Sequence, residues 1–515
     1  MGHSEADKAS VEATTWVPDL LLINGRFVRD VGLACDPQGR VIALLPMSLF
    51  RQTAGEPREG ETYDVSVSDR YFATRFIRLR GRAMLPGMVN AHSHAFQRVI
   101  RGRTEYRSAH AQDSFWTWRE MMYAASTRLS PEDIYDASRM AFLEMALCGI
   151  TSVGEFHYLH RTPEGTEYDD PNLLAKQVIR AAREVGLRIA LLRVAYARAG
   201  FNAPADPRQL RFIEPDADTF VRNTEALARE LAAEESEDLR PPRAWVGVAP
   251  HSVRAVPLDY IERVSRFADE RRVPLHMHVA EQPAEVESCV AETGRTPVAL
   301  LAEAGVLGPR FTGVHAIHVT PGEVSLMRDA GAHVCACPTT ERNLGDGVVP
   351  AGSYFDAGVS VALGTDSHAQ IDLLEDARQI EYHLRLRSLR RNVLAPDEGA
   401  RDESRADSDN GRMSALAARL FECASLAGAR SIGAPCGDFV AGCAADFFTV
   451  DLNDPSIAGA GAQDLLPAIV FSLSRAAVRE TAVGGRILVE GGRHAAQEEI
   501  VARFSALQQI GRAHV

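Results

Sequence analysis

No run of roughly eighteen apolar residues occurs in this 515-residue sequence, so no membrane-spanning helix is expected. The N-terminus, MGHSEADKAS, is polar and lacks the apolar centre of a secretion signal. Cysteine is sparse, and eight residues in so long a chain supply no disulfide framework. Cys335 and Cys337 stand two apart, which is not zinc-knuckle spacing, and read as strand residues. A reducing cytoplasm is the expected compartment. No glycine-rich phosphate loop follows the first strand candidate, which weighs against a doubly wound nucleotide fold. Positive charge is also short: the formal net charge of −13 disfavours a nucleic-acid partner. A small anionic substrate stays open, because a few local arginines override a global field.

What is present has the balance of a soluble globular protein, 46% hydrophobic and 24% charged. Both ends are β-rich and punctuated by turns, at 17–45 and 76–85, then at 438–452 and 476–493. Between them, short apolar strand candidates alternate with helical stretches. They are MVNAHSHA, TSVGEFHY, LRIALLRVAY, AWVGVAPHS, PLHMHVAE, TGVHAIH, HVCACPTT and VSVALGTDSH. This alternation predicts a distorted (β/α)8 TIM barrel, with a small β-sandwich built from both chain ends. The expected boundaries are a disordered head over 1–15, the first part of the sandwich over 16–84 and the barrel over 85–434. A flexible polar insertion is expected at 394–412, the second part of the sandwich over 435–495 and a tail over 496–515. The last six residues, IGRAHV, read like translated sequencing-adapter DNA, which would make them an artefact.

The chemistry is expected where the barrel strands end. The first carries His92 and His94, and side chains two apart on a strand share a face. The fifth carries His276 and His278, followed by Glu281; the sixth carries His315; the eighth ends in Gly364-Thr365-Asp366. Four strands thus deliver His, His, His and Asp to the C-terminal end, where barrel active sites lie. Nitrogen and carboxylate ligands of this kind suit one zinc ion, and could also hold iron or manganese. His276 sits one layer deeper than His278 and is expected to be structural; His318 is less suited than His315 to face the centre. A bound zinc lowers the pKa of water from about 15.7 to about 7. Asp366 is placed to accept that water's proton, Glu281 to shuttle a proton to a leaving nitrogen, and His315 to polarise the carbon under attack or hold the hydroxide.

These residues also carry a resemblance. LPGMVNAHSHAFQR, HVAEQ, the His315 strand and GTDSH resemble the amidohydrolase superfamily in its single-metal deaminase branch. HSHAFQRVIRGRTE, SFWTWREMMY, GEFHYLH, APHSVRAV, HMHVAEQ and CPTTERNLGDG are similar to the formimidoylglutamate deiminases (N-formimino-L-glutamate iminohydrolases) of that branch. The similarity runs from about residue 17 to about residue 495. It implies zinc on His92, His94, His278 and Asp366, with Glu281 and His315 as catalytic partners. It also implies a substrate-binding set of Gln97, Arg119, Tyr158, His251 and Arg254, and a homodimer. The implied reaction is hydrolysis of N-formimino-L-glutamate to N-formyl-L-glutamate and ammonia, a step of histidine breakdown. Arg119 and Arg254 suit such a dianion, since guanidinium forks match carboxylates. Trp116 and Trp118 are expected to pack rather than touch substrate. The alternative is a deaminase of the same superfamily acting on a purine or adenosine derivative, which needs a flat apolar pocket.

Overall fold

The computed structural model describes residues 12–51, 60–67, 70–107, 114–235, 241–396 and 409–513. Eight parallel strands form the barrel: β7 (Met88–Ser93), β8 (Ile150–His157), β9 (Arg188–Ala195), β10 (Ala244–Pro250), β11 (Leu275–Val279), β12 (Phe311–His315), β13 (His333–Ala336) and β14 (Ser360–Leu363). Each pairs with its neighbours in chain order. Strands β7, β8, β9, β11 and β12 are buried along their whole length. A parallel strand covered on both faces needs continuous apolar sequence, which RIALLRVA in β9 supplies around its two arginines. Helices close the outside. Leu173–Val185, for example, buries Leu174, Val178, Ile179, Ala182 and Val185 at helical spacing. It stops at Gly186, whose φ of 100° suits glycine, and where a Cβ would meet Leu488 at 2.4 Å.

The ring closes between its first and last strands through few contacts. Ser93 bridges Asp366 in parallel sense, the Asp366 N–H donates to His92 O at 3.0 Å, and the His94 N–H donates to Asp366 O at 3.0 Å. Asn90 bolts the seam from the side, accepting the Thr365 N–H at 3.0 Å and donating to Thr365 Oγ1 at 2.7 Å. Gly364 permits the approach, because a Cβ there would lie 2.7 Å from His92 Cβ.

The two chain ends build a ten-stranded mixed sheet. The N-terminal part contributes β1 (Glu12–Ile23), β2 (Arg26–Val28), β3 (Val31–Cys35), β4 (Val41–Pro46), β5 (Thr62–Val67) and β6 (Arg70–Pro86). The C-terminal part contributes β15 (Phe447–Asp451), β16 (Val478–Val483), β17 (Arg486–Glu490) and β18 (Arg493–His494). The parts join where β15 runs antiparallel to β6, from Phe447 opposite Pro86 to Asp451 opposite Arg82. One apolar cluster gathers around Trp16, Met84 and Phe447, and another around Phe50, Phe72 and Phe76.

Three boundaries differ from expectation. Residues 12–15, expected in the head, already pair with β6 as the start of β1, where Thr15 and Thr74 share a buried 2.7 Å hydroxyl contact. Most of the expected insertion lies outside the described residues, as do 1–11, but Leu394 is buried and its N–H donates to Glu381 at 2.9 Å. The expected tail contains a helix, Gln497–Ala513, which buries Ile500 and Phe504. It is tied to the barrel by Arg139–Glu499 and Arg503–Glu132 pairs and by Gln508, whose amide donates to Val99 O at 2.9 Å. Among the described residues no helix is long and apolar enough to cross a membrane.

Barrel and sheet are joined by a buried ion pair at the foot of β9. Arg188 donates from Nε to Asp446 Oδ2 at 2.7 Å and from Nη2 to Oδ1 at 3.1 Å. Its Nη1 is held by the carbonyls of Pro241 and Pro242, and Asp446 also accepts the Gly484 N–H at 2.6 Å. Removing one member strands a desolvated charge, at a cost of about 3–5 kcal/mol. Asp446→Ala should therefore lower the urea unfolding midpoint by an amount equivalent to that cost. A loss under about 1 kcal/mol would show that water replaces the carboxylate.

Candidate metal centre and active site

The ends of β7 and β11 and the turn after β14 bring His92, His94, His278 and Asp366 together, all buried. His92 Nε2 lies 3.1 Å from both His94 Nε2 and His278 Nε2. Asp366 Oδ1 lies 3.4 Å from His92 Nε2 and 3.2 Å from His94 Nε2. Four ligands about 2.0–2.1 Å from a tetrahedral ion are about 3.3 Å apart, so these spacings fit a divalent metal. Proton counting agrees. His94 Nδ1 stands 2.9 Å from Phe156 O and His278 Nδ1 stands 3.1 Å from His251 O. A carbonyl only accepts, so each Nδ1 donates and each Nε2 turns a lone pair inward. Burial keeps His92 and His278 neutral, the form that ligates, and lowers His92 to about 3. Burial alone would raise the Asp366 carboxyl, but the adjoining His92 and His94 rings hold it well below the usual carboxylate range.

The backbone here is bent out of the ordinary. Ala280, His315, Ala316, Asp366 and His368 all have φ between 46° and 67°. Such left-handed non-glycine residues concentrate where structure is held for function. At Asp366 the bend follows the strand seam and divides the carboxylate's duties. Oδ1 faces the imidazole cluster, while Oδ2 lies 3.7 Å from His315 Nε2.

His315 ends β12 beside His278, and its Nε2 is 3.6 Å from Glu281 Oε1. Burial opposes a charged imidazole, but Glu281 and Glu341 outweigh it and raise His315 well above its ordinary value. Burial raises Glu281, and the nearby Asp366 charge adds to this despite His315. Both groups are thereby shifted towards their protonated forms, beside a carboxylate that stays ionised. Glu341 escaped the sequence reading as an individual residue, although it lies inside CPTTERNLGDG. Its Oε1 accepts the Cys337 N–H at 2.8 Å and contacts His315 Nδ1 at 3.3 Å, so it orients the imidazole from behind.

The mouth collects the remaining candidates. Gln97, Arg119, Tyr158, His251 and Arg254 line one cavity with His94, His278, Glu281, His315 and Asp366; His92 is sealed behind them. Gln97 comes from the turn Ala95–Ile100 after β7, and its Nε2 donates to Tyr158 OH at 2.8 Å. Its Oε1 is buried without a partner. Arg119, on helix Phe115–Ser126, has Nε and Nη1 buried without acceptors. Burial, together with the Arg254 cation, lowers Arg119 from its ordinary value. Arg254 donates from Nη1 to Ala199 O at 3.0 Å. Among the described residues neither guanidinium has a carboxylate within ion-pair distance. Trp116, expected only to pack, lays its ring 4.4 Å from the Arg119 guanidinium and holds that cation by its π face. Trp118 forms part of the cavity wall. His276 is structural, with Nε2 2.9 Å from Ser431 O, and His318 Nε2 is taken by Asp346 O at 2.8 Å.

The amidohydrolase family profile matches residues 83–488. A formimidoylglutamate deiminase of Pseudomonas aeruginosa is 37% identical over 425 residues, covering 82% of this chain and 88% of that protein. A 5-methylthioadenosine/S-adenosylhomocysteine deaminase of Natronomonas pharaonis is 27% identical, covering 87% of this chain and 91% of that one. Among solved structures, an amidohydrolase of Brucella melitensis superposes with a TM-score of 0.80 at 32% identity, covering 96% of this chain and 99% of that one. A zinc-bound adenosine deaminase of Xanthomonas campestris shares the fold, with a TM-score of 0.73 at 22% identity and coverage of 98% and 99%. The chain therefore belongs to the amidohydrolase family and is a deaminase-type hydrolase of carbon–nitrogen bonds.

Proposed function

We propose that the enzyme hydrolyses N-formimino-L-glutamate to N-formyl-L-glutamate and ammonia, with zinc held by His92, His94, His278 and Asp366. The observation that carries this reading is the pair of cavity arginines, Arg119 and Arg254, without carboxylate partners among the described residues. Two half-buried cations beside a cluster of imidazoles call for an anion from outside, and a dianion with a small amidine head supplies it. A flat neutral purine leaves both unpaired.

When bound, the zinc ion supplies Lewis acidity that brings water's pKa from about 15.7 to about 7. The chain's own groups do the rest. The arginines hold the substrate carboxylates and fix the amidine over the ligand cluster. Gln97 Oε1, buried and unpaired, accepts an amidine N–H. Asp366 Oδ2, turned away from the imidazole cluster, takes the proton of the attacking water. His315, raised well above its ordinary value, stabilises the electron pair that moves onto the amidine nitrogen as the carbon is attacked. Glu281, with its raised pKa, gives a proton to the departing nitrogen. The proton held on Asp366 follows to the same nitrogen, the carbon–nitrogen bond breaks with its electron pair on nitrogen and ammonia leaves, while the adduct's hydroxyl proton returns to Glu281 and its oxygen, from water, becomes the formyl oxygen.

Ammonia release from N-formimino-L-glutamate, measured beside guanine and adenosine, tests the reading; efficient turnover of either purine with none of the amidine would overturn it. Selectivity gives a finer test. A hydrogen bond to a charged group is worth roughly 1.5–3 kcal/mol, so Arg254→Ala should lower kcat/KM by about 10–10²-fold, and Arg119→Ala similarly. Both variants should leave a carboxylate-free formamidine, a poor substrate, nearly unaffected. Equal losses on both substrates would mean that the arginines support the fold.

A further inference from the structure

The cavity wall carries two phenols whose hydrogen bonding follows from a count of protons. Gln209 ends the short turn Pro207–Gln209 and is 2% exposed. Its Oε1 accepts the backbone N–H of Asp206 at 3.4 Å, which identifies the oxygen end of the amide. The other end, Nε2, lies 2.8 Å from Tyr123 OH and 3.0 Å from Tyr196 OH. An amide nitrogen has two hydrogens and accepts nothing, so it donates one to each phenol oxygen. Each phenol then answers Gln209 with a lone pair and keeps its own O–H proton for another acceptor. No described residue accepts either proton.

Both rings are buried, and both line the cavity beside Arg119 and Arg254. The Arg119 guanidinium lies 5.5 Å from the Tyr123 ring. Two spare hydroxyl protons next to two guanidinium cations make a donor set with one natural complement, an oxygen anion with several lone pairs. We infer that Tyr123 and Tyr196 donate hydrogen bonds to a carboxylate of the substrate, and that Gln209 is the positioning residue that aims them. Gln209 acts on specificity without touching the substrate, because it decides which way both phenol protons turn. Burial supports the donor role by raising Tyr123 to about 12, so its proton is retained at neutral pH. The inference rests on the anionic substrate class proposed above, but needs only a carboxylate and not the amidine.

The test uses the metal-loaded enzyme, with turnover of N-formimino-L-glutamate and calorimetric binding of glutarate, a dianion that cannot react. Tyr123→Phe and Tyr196→Phe should each raise KM and the glutarate Kd by about 10-fold, with kcat moving less than KM. Gln209→Glu turns both phenol protons back onto residue 209 and adds a negative charge beside the arginines. It should weaken glutarate by about 10²-fold or more, whereas Gln209→Met, which loses orientation but adds no charge, should do less. Thermal unfolding of each variant verifies the fold. Unchanged glutarate affinity in both folded Phe variants would overturn the inference, even if the amidine is the substrate. A wild type that ignores the amidine yet binds glutarate through the tyrosines would overturn the substrate reading and leave the inference standing.

Discussion

Asp366→Ala should release most of the bound metal and abolish measurable turnover, and His92→Ala should do nearly the same. Four-ligand zinc sites bind with about 10–16 kcal/mol, which puts one ligand at roughly 3 kcal/mol, or about 10²-fold in affinity. Asp366 carries a second burden, because its Oδ2 lies outside the imidazole cluster on the His315 side. Loss of a positioned proton acceptor removes a further 10²–10⁴-fold or so, making Asp366→Ala the more severe variant. Elemental analysis of wild type should find one tightly held divalent ion per chain. A second group, His315, Cys337 and Glu341, has donors close enough to be weighed against this. It does not compete: burial raises the Cys337 thiol well above its ordinary value, and Glu341 Oε1 is already engaged by Cys337 N–H and His315. Two ions per chain in active enzyme, or full metal content in Asp366→Ala, would refute the assignment.

Glu281→Gln should keep its metal and lose turnover by a factor on the order of 10² or more. The side chain stands outside the imidazole cluster, with Oε1 3.6 Å from His315 Nε2. Glutamine keeps the shape and can still hydrogen-bond, but it carries no exchangeable acid proton to a leaving nitrogen. The expected signature is normal metal content, a KM within a few-fold of wild type and a collapsed kcat. Loss of the ion in this variant would make Glu281 a ligand and reverse its role.

The strands and their ends were legible because they depend on local rules. His92 and His94 share a face by strand period, and His278 and His315 end apolar runs too short to be helices. What escaped depends on proximity between distant segments. Glu341 follows a different strand from His315, and nothing in their separation in sequence reveals the contact. Trp116 looks like packing until the helix turns it onto Arg119. Gln209 is an ordinary turn residue until two tyrosines from elsewhere meet its amide. The terminal helix failed for another reason: its short apolar stripe, Ile500 and Phe504, is set among polar residues that resemble a tail, and ion pairs with Glu132 and Arg139 add to the docking.

The seam between β7 and β14 also orders events during biogenesis. Strands such as β8, β9 and β10 find partners next to them in the chain, whereas the seam joins the first barrel strand to the last. The entropy of closing so long a loop must be met before those few hydrogen bonds form. A nascent chain therefore offers His92 and His94 without Asp366, an incomplete chelate. Scattered imidazoles on an unfolded polypeptide favour whichever transition metal binds nitrogen most tightly, with copper at the head of that order. Completion of the ligand set at the last step of closure hands the choice of ion to a finished, tetrahedrally spaced cavity.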